Sequence, residues 1–519
     1  MVSVFLVVVF VLFGISTLAL TVIGLHMYAL MFLAMRRSKD TSRRQREAIE
    51  GFLGSRGEDE WPVVTTQIPI YNEGQIASRI IESVAAFDYP PGRHEIQVLD
   101  DSEDFTRDII DRTAHRLVQS GADIVVIRRP TREGYKAGAL AYGLARARGE
   151  YAAVFDADFI PPPHFLRRAI PLLELDAKVG CVQGRWSHLN REESWLTEAQ
   201  ALGIDGHFGI EQGARGWNGL MMNFNGTGGV WRKSAITDPN VGGWSGDTLT
   251  EDMDLSYRAQ LAGWRMEYVI GLKSPSELPN TVSALKSQQR RWATGSMQTA
   301  CKLLPRIWKS PISIPAKLEA TFHLTQYSVA IWMLILAVVA RPMLLVHADG
   351  RFTASWMWVV WLLVMISAVA PSMAYTYARY HLDRRWDAVL RLPVLMILGC
   401  GLCVNNTLAV VRGLRERGGE FVRTPKSGSV ARRAKASPYQ IAQGRLWILE
   451  FLLGAYTLYA FFLYFRYYDR FCSAFILMYG VGLLLIGWHS LPKRRESDGF
   501  DVSTWFGAPA RTPEAAGGS

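Results

Sequence analysis

Residues 4–35 contain no Asp, Glu, Lys or Arg, and this stretch limits what the chain can fold into more than any other feature. About 20 apolar residues suffice to cross a bilayer. The segment lacks the charged start and the small-residue cleavage site of a signal peptide. Basic residues follow from Arg36 to Arg46, and cytoplasmic flanks of membrane helices are enriched in Lys and Arg. We therefore predict a transmembrane helix with the following domain in the cytoplasm.

Four later apolar runs have the length of membrane spans, at residues 323–346, 354–377, 446–467 and 471–491. Another run, 388–412, is followed by a strongly basic segment that ends at Arg445 and belongs on the cytoplasmic side. We therefore interpret 388–412 as interfacial or re-entrant. This interpretation gives five spans, and the number of crossings around 388–412 is left open.

These patterns divide the chain into eight segments. They are an N-terminal span (1–36), a linker (37–60), a globular domain (61–285), amphipathic interface helices (286–322), two spans (323–378), an interfacial or re-entrant helix with a cytoplasmic loop (379–445), two spans (446–492) and a cytoplasmic tail (493–519).

The surplus charge and the cysteines exclude two classes of protein. The net charge of +10 comes from basic residues beside the apolar runs, and no basic patch with interleaved aromatic residues indicates a nucleic-acid groove. Five scattered cysteines are too few for a disulfide framework. Cys400 and Cys403 form a C-x-x-C in an apolar run, where we expect buried, unreactive thiols.

The globular region alternates short β-rich runs with helical ones. VVTTQIPI, HEIQVLD, ADIVVIRR and YAAVFDADF have the composition of strands. Alternation of strands with helices predicts an α/β domain with a mostly parallel sheet, whose ligands bind at the carboxyl ends of the strands.

Acidic residues stand at two of these strand ends. Asp156 and Asp158 end one strand, and two carboxylates one residue apart can hold a hard cation against a diphosphate. Asp100 and Asp101 end another, where they either accept hydrogen bonds from a ligand or cap the next helix. Lys136 opens a small-residue helix, a position that suits a phosphate, although an exposed surface lysine is the alternative.

Two further motifs lie towards the membrane region. Thr250-Glu251-Asp252 places a carboxylate that could take a proton from a hydroxyl, while the alternative is a plain helix cap. Gln288, Arg291 and Trp292 form Q-x-x-R-W, which offers a ring face for a sugar and polar groups for phosphate or hydroxyls. A basic membrane-surface helix would also contain Arg and Trp. The order of all these motifs is more specific than any one of them.

Taken together, the motifs resemble those of the processive family 2 glycosyltransferases, which include cellulose, chitin and hyaluronan synthases. QIPIYNE, VLDDSED, YKAGAL, NFNGTGGVWR and SQQRRW are most similar to the plant cellulose synthase-like A and C branch and its bacterial relatives. The resemblance is dense from about residue 61 to 300. Beyond it, EFVRTPK (420–426) is similar to the gating loop of such synthases.

The resemblance implies a GT-A catalytic domain and a role for each matching residue. Asp100, Asp101, Glu73, Lys136, Asp156, Gln288 and Arg291 would bind the nucleotide-sugar; Asp156 and Asp158 would bind Mg²⁺ or Mn²⁺; Thr250, Glu251 and Asp252 would form the catalytic motif, with Asp252 as the base; Asn225, Gly226, Thr227 and Trp292 would bind the acceptor; and Phe421, Thr424 and Lys426 would close over the donor.

The function implied is an inverting membrane hexosyltransferase that extends and translocates a β-glycan. GDP-mannose with a β-1,4-mannan or glucomannan product, and UDP-glucose with a β-glucan product, are both open. We expect a multi-pass protein of the bacterial inner membrane. One alternative is a non-processive glycolipid synthase that adds one or a few hexoses to diacylglycerol or ceramide. A transporter or channel with a degenerate domain is disfavoured, because no predicted span carries a carboxylate deep in the bilayer.

Overall fold

The structure, a computed structural model, describes residues 2–348, 354–419, 444–468 and 470–491. Its globular part is built on a seven-stranded sheet with the order β3-β2-β1-β4-β6-β5-β7. The strands are β1 (Val64–Ile70), β2 (His94–Asp100), β3 (Ile124–Ile127), β4 (Tyr151–Val154), β5 (Val179–His188), β6 (Gly229–Arg232) and β7 (Arg265–Ser276).

Seventeen α-helices are found among the described residues. They are α1 (Val2–Ser55), α2 (Ala77–Ala85), α3 (Thr106–Gln119), α4 (Tyr135–Leu144), α5 (Phe165–Glu174), α6 (Trp195–Gly206), α7 (Gln212–Trp217), α8 (Lys233–Thr237), α9 (Glu251–Leu261), α10 (Val282–Lys309), α11 (Ile314–Thr325), α12 (Val329–Ala348), α13 (Ala354–Asp383), α14 (Ala388–Gly401), α15 (Cys403–Arg415), α16 (Leu446–Tyr467) and α17 (Arg470–His489).

The sheet is mostly parallel, as predicted. Strand β1 pairs in parallel with β2 and β4, and β2 pairs in parallel with β3. Only β6 runs antiparallel to its neighbours β4 and β5 within the described sheet. The β-branched and apolar residues of β1 are buried on both faces, with Val64 and Ile68 fully inaccessible. Burial on both faces is typical of strands covered by helices on each side.

Small residues bring α4 close to this sheet. A Cβ atom on Gly143 would lie 2.6 Å from both the Gln67 side chain of β1 and the Leu99 side chain of β2. The glycine therefore allows a contact that no larger residue would permit. As a consequence, Lys136 in the first turn of α4 is held near the carboxyl ends of the central strands.

Helix α1 is longer than the predicted membrane span. It continues to Ser55, so the predicted linker over residues 37–60 is mostly helical. Its last turns pack on the globular domain: Ile49 and Phe52 join the core beneath the sheet, and the ring centroids of Phe52 and Trp61 lie 5.3 Å apart in an edge-to-face contact. Apolar contacts thus extend the helix beyond the length that a bilayer needs.

By length and composition, four helical stretches among the described residues could cross a membrane: Val4–Ser55, Ile314–Val346, Leu446–Tyr467 and Cys472–His489. The predicted span 354–377 lies within α13. Helices α14 and α15 are bent by 49° at their break, which suits either a broken span or a re-entrant loop. The interpretation of 388–412 therefore stays a prediction. The five cysteines are free thiols, and Cys400 and Cys403 are buried.

Helix α10 links the globular domain to the apolar helices, and it continues through Pro305 rather than breaking there. Lys286 Nζ donates to Glu450 Oε1 on α16 at 2.7 Å and to Ser490 Oγ beyond α17 at 3.0 Å. The Glu450 side chain is fully buried. A charge in a helix that could span a membrane is costly unless it is paired, so this contact fixes α10 against α16.

We expect Glu450→Met to destabilise the protein by about 3–5 kcal/mol, because it leaves the Lys286 ammonium buried without its partner. The double variant Lys286→Met/Glu450→Met should recover part of this loss, since neither charge is then left unpaired. Thermal unfolding of the purified protein in detergent measures both. Equal melting temperatures for the wild type and the single variant would contradict the importance of the pair.

Candidate active site

A cavity of about 160 Å³ opens at the carboxyl ends of β1, β2 and β4. Helices α9 and α10 face these strand ends across it. Predicted site residues that line the cavity are Glu73, Asp101, Lys136, Asp156, Asp158, Asn225, Gly226, Thr250, Glu251, Asp252, Gln288, Arg291 and Trp292. The structure therefore brings together, at one place, motifs spread over more than 200 residues of the chain.

Lys136 occupies the centre of the acidic side of the cavity. Its Nζ donates to Asp156 Oδ1 at 2.5 Å and to the Gly226 carbonyl oxygen at 2.9 Å, and it lies 3.9 Å from Glu251 Oε1. Burial disfavours the charged form, but the charges of Asp156 and Glu251 outweigh it and raise the pKa of the Lys136 ammonium. The group therefore stays protonated.

The acidic residues around Lys136 hold their protons unusually tightly. Burial and the neighbouring charge of Glu251 raise the pKa of the Asp252 carboxyl to about 7. Burial also raises the pKa of Glu251, and burial together with the charge of Asp158 raises that of Asp156 against the pull of Lys136. Arg291 from α10 counteracts these shifts. A carboxyl whose pKa lies near 7 is suited to proton transfer at neutral pH.

The electrostatic position of Asp156 and Asp158 fits a divalent cation. The charge of Asp158 disfavours ionisation of Asp156, and a hard cation with oxygen ligands relieves this repulsion. Within the described part of the chain, no three or more His, Cys, Asp or Glu side chains form a metal site by themselves. A cation here would therefore share its coordination sphere with oxygens from a ligand.

Gly226 lies against the Asp252 carboxylate. Its φ of +79° is in the left-handed region that favours glycine, and a Cβ atom here would lie 2.9 Å from Asp252 Oδ2 and 3.3 Å from Lys136 Nζ. The NFNGT segment and the TED motif therefore meet directly. The glycine keeps the space in front of the carboxylate open.

Asp100 and Asp101 differ in position, although the resemblance implies binding of the nucleotide-sugar for both. Asp101 lines the cavity and forms a two-pronged ion pair with Arg129, with N–O distances of 2.8 and 2.6 Å. Asp100 does not line it: its buried side chain accepts from Arg128 Nε at 2.7 Å and from the amide of Ser102. Asp100 thus fixes the β2 loop instead of facing a ligand.

The two threonines of the predicted site differ in position, since Thr250 lines the cavity and Thr227 does not. Thr227 is fully buried, and its hydroxyl accepts a hydrogen bond from the Asp156 amide at 2.9 Å, so it supports the strand end rather than lining the cavity. Thr250 precedes α9 without capping it, and its hydroxyl contacts Thr299 Oγ1 of α10 at 3.1 Å. The hydroxyl of Thr250 therefore joins the two helices that close the cavity.

The Q-x-x-R-W motif lies on the inner face of α10. Gln288 and Arg291 line the cavity. The centroids of the Trp292 and Trp186 rings lie 6.5 Å apart. Trp186 stacks in turn on Phe208. Two indole rings at one end of the cavity offer apolar faces to a sugar.

Comparison with known proteins identifies the family to which the chain belongs. A model of "Glycosyltransferase like family 2" matches residues 62–295. A glucomannan 4-beta-mannosyltransferase 7 of Arabidopsis thaliana is 32% identical over 448 residues, which cover 83% of this chain and 75% of the relative. The chain belongs to glycosyltransferase family 2.

Two other proteins are also similar to this glycosyltransferase. A glucomannan 4-beta-mannosyltransferase 1 of Cyamopsis tetragonoloba is 32% identical over 81% of this chain and 78% of its own length. A Pyrobaculum calidifontis mannosyltransferase, solved with GDP-Man and Mn²⁺, has a TM-score of 0.40 and 18% identity, over 68% of this chain and 98% of its own. The mixed, mostly parallel sheet with acidic strand ends is the GT-A fold predicted for a family 2 enzyme.

Several residues of the glycosyltransferase site were not predicted. The Arg132 guanidinium lies 3.4 Å from the centroid of the Tyr71 ring, and both residues line the cavity together with Trp186. Tyr71 directly follows β1, so its position after a predicted strand was an available signal. Arg132 carries no such signal, because its approach depends on loop geometry. Trp186 lies in β5, which was not among the predicted strands.

The predicted gating residues Phe421, Thr424 and Lys426 lie outside the described residues. The chain that leads towards them is described as far as Gly419. Gln298 Nε2 of α10 donates to the carbonyl oxygens of Glu416 and Gly418 at 3.1 and 2.7 Å, and Gln298 Oε1 accepts from the Leu249 amide. One side chain thus holds this segment beside the loop that precedes the TED motif.

We expect Gly226→Ala to reduce glycosyl transfer by about tenfold or more, because the added methyl group crowds the Asp252 carboxylate. Gly219→Ala is a matched control, since Gly219 also has a positive φ of +69° but has no atom within 4 Å of the added Cβ. Both variants should lose about 1 kcal/mol of stability from the left-handed backbone. Equal activities for the two variants would show that crowding at Asp252 is unimportant.

We expect kcat/KM for the donor to rise with pH through about 7, because a carboxyl with the pKa of Asp252 can accept a proton only when it is ionised. Below this value the rate should fall about tenfold per pH unit. Glu251→Gln removes a charge that raises this pKa, so its profile should shift to lower pH. A profile that is flat from about pH 5 to 9, or one that Glu251→Gln does not move, would exclude Asp252 as the titrating group.

Proposed function

We propose that this protein is a β-1,4-mannosyltransferase that extends mannan or glucomannan with mannose from GDP-mannose. The observation that carries the proposal is the Asp252 carboxylate beside the Lys136–Asp156 pair, within a chain that is 32% identical to a glucomannan 4-beta-mannosyltransferase over most of its length. The identity of the donor sugar is inferred from the relatives, and the type of reaction is inferred from the residues of the site.

The proposed reaction is a single displacement with inversion. Asp252 takes the proton of the acceptor hydroxyl at the non-reducing end of the glycan, and that oxygen forms a bond to the anomeric carbon of the donor. The bond between this carbon and the diphosphate breaks, and the electron pair leaves with the nucleoside diphosphate. The pKa of Asp252 near 7 supports this role, because the base is then ionised yet basic enough at neutral pH.

The donor would lie along the strand ends. Lys136 and Arg291 line the cavity and would bind the diphosphate. Asp101 and Glu73 line it beside β1 and β2, where the nucleoside would bind. Asp156 and Asp158 would hold Mg²⁺ or Mn²⁺, which offsets the charge that develops on the departing diphosphate. Asp156 would have to exchange its contact with Lys136 for one with the cation, which leaves the ammonium for the phosphate oxygens.

The acceptor would enter from the α10 side. Gly226 lies next to Asp252 and Asn225 lines the same cavity, while Trp292 with Trp186 offers a stacking surface for the terminal sugar. Gln298 supports the further proposal that Phe421, Thr424 and Lys426 close over the donor, because it fixes the start of their segment near the cavity. A held acceptor and a closing loop both suit a growing polymer.

The proposed setting is a membrane, with the catalytic domain on its cytoplasmic side. The helices long enough to span, and the basic residues Arg36 to Arg46 after the first, support this orientation. We propose that this membrane is the bacterial inner membrane, as we expect from the sequence. The growing chain would be translocated between the spans.

A glycolipid synthase would use the same chemistry on a different acceptor. The similarity to glucomannan enzymes favours the polymer, since the names of both relatives state a polysaccharide product. The products of the two activities differ in solubility: a lipid-linked sugar partitions into organic solvent, and a long β-mannan does not.

The test is to incubate the purified protein with GDP-mannose or UDP-glucose in the presence of Mn²⁺ or Mg²⁺. We expect an insoluble product from GDP-mannose that an endo-β-1,4-mannanase degrades and a cellulase leaves intact. A product made only from UDP-glucose would overturn the choice of donor. A product extracted into organic solvent would overturn the choice of acceptor.

Asp252→Asn is the matched negative control in that assay. It keeps the size of the side chain but cannot take a proton, so we expect GDP-mannose to bind within about twofold of the wild type and transfer to fall by about 10³-fold. Isothermal titration measures the first quantity and product formation measures the second. Transfer at the wild-type rate would disprove the assignment of the base.

A further inference from the structure

The Asn225 side chain has an orientation that its neighbours determine. Gln212 Nε2 donates to the Asn223 carbonyl oxygen at 2.7 Å, and its second hydrogen is directed at Asn225 Oδ1. Since a carbonyl oxygen only accepts, the Gln212 amide cannot be reversed without losing both bonds. The Nδ2 group of Asn225 must then face the opposite way, towards His207 Nε2 at 3.1 Å.

The state of His207 agrees with this orientation. Its Nδ1 lies 3.2 Å from Glu211 Oε2. Although burial opposes ionisation, the charge of Arg215 and the hydrogen bond from His207 hold the pKa of Glu211 well below its usual range. An ionised carboxylate only accepts, so Nδ1 is the donor to Glu211, and Nε2 is the nitrogen that faces Asn225 Nδ2 as its acceptor.

Beyond Glu211, the polar contacts continue towards the membrane helices. Arg215 is 1% exposed; it donates to Glu211 Oε2 at 3.1 Å and to Glu319 Oε1 of α11 at 2.7 Å. Glu319 Oε2 lies 2.5 Å from His26 Nε2 of α1. Both α1 and α11 belong to stretches that could cross a membrane. The series of contacts therefore connects Asn225 in the cavity with two membrane-anchored helices.

Local backbone geometry places His207 within this series. Residues His207–Glu211 form one π-helical turn between α6 and α7. Such turns widen a helix and are frequent at functional sites. Within this turn, His207 reaches Asn225 while Glu211 remains in contact with Arg215.

We propose that His207 is a positioning residue for the acceptor: it fixes the amide of Asn225, the residue before Gly226, in the cavity that Asp252 lines, and the Glu211–Arg215–Glu319–His26 series anchors that subsite to α1 and α11. The inference rests on the proposed function, because it takes the sugar hydroxyls of a glycan as the ligand of Asn225. With both ends of the amide engaged, Asn225 offers one remaining hydrogen and one remaining lone pair in fixed directions. A sugar whose hydroxyls match these directions is aligned for attack.

A variant that removes the two ring nitrogens tests this inference. In His207→Phe the ring is retained, but the Asn225 amide loses the group that fixes Nδ2. We expect transfer to fall by about tenfold or more, while the Kd for donor stays within about twofold. Hydrolysis of the donor by water should continue, so the share of turnovers that end as free sugar should rise. His207→Gln restores an acceptor for Nδ2 and should recover most of the transfer.

His381→Phe is the matched control. His381 Nε2 also contacts α1, at 3.0 Å from Ser38 Oγ, but it has no contact with Asn225. It should leave the ratio of transfer to hydrolysis unchanged. A purely structural role for His207 would instead lower the melting temperature and reduce transfer and hydrolysis together, without rescue by Gln, and would overturn the inference.

These outcomes are separable from a failure of the proposed function. If the wild type transfers glucose from UDP-glucose instead, the same ratio is measured with that donor, and the inference about His207 is still tested. If the wild type transfers mannose and His207→Phe shows the wild-type ratio, the inference about His207 is wrong and the proposed function stands.

Discussion

One buried ammonium group keeps the acidic residues of this site together. Asp156, Glu251 and Asp252 come from two distant parts of the chain, and without Lys136 their charges would repel one another in a partly buried cavity. The Lys136 ammonium can offset all three negative charges because α4 packs closely on the sheet. This close packing is possible because α4 contains small residues. The geometry of the reaction centre thus depends on the packing of a helix that carries only one of its charges.

The catalytic domain and the apolar helices are joined by charged contacts as well as by apolar packing. Lys286 and Glu450 connect α10 with α16, and Arg215 and Glu319 connect α7 with α11. Buried pairs of this kind contribute little net stability, but a charge that loses its partner is costly. The Lys286–Glu450 pair therefore disfavours other orientations of α10, the helix that carries Gln288, Arg291 and Trp292, relative to α16.

The sequence was most informative where function and secondary structure coincide. The segments predicted as β1, β2 and β4 end in residues that line the cavity or support it. The carboxyl ends of parallel strands lie at the same edge of the sheet, independently of the conformation of the connecting loops. What the sequence did not provide was the direction of individual side chains. Asp100 and Asp101 are adjacent in an extended chain, so they point to opposite sides, and only one of them reaches the cavity. The helical continuation of α1 was missed since its cause, packing on Trp61, is a tertiary contact.

Helix α1 has a mechanical consequence. Its 54 residues correspond to a rod of about 80 Å, of which a bilayer accounts for about 30 Å. At its far end, Ile49 and Phe52 pack into the core on one face of the sheet. Gln45 Nε2 also donates a hydrogen bond to the Tyr268 carbonyl oxygen of β7. In the proposed membrane setting, such a strut would hold the domain at a constant height and tilt above the lipid surface. Donor entry and nucleotide exit would then depend on the loops around the cavity, because the contacts of α1 with the core and with β7 prevent the body of the domain from swinging away from that helix.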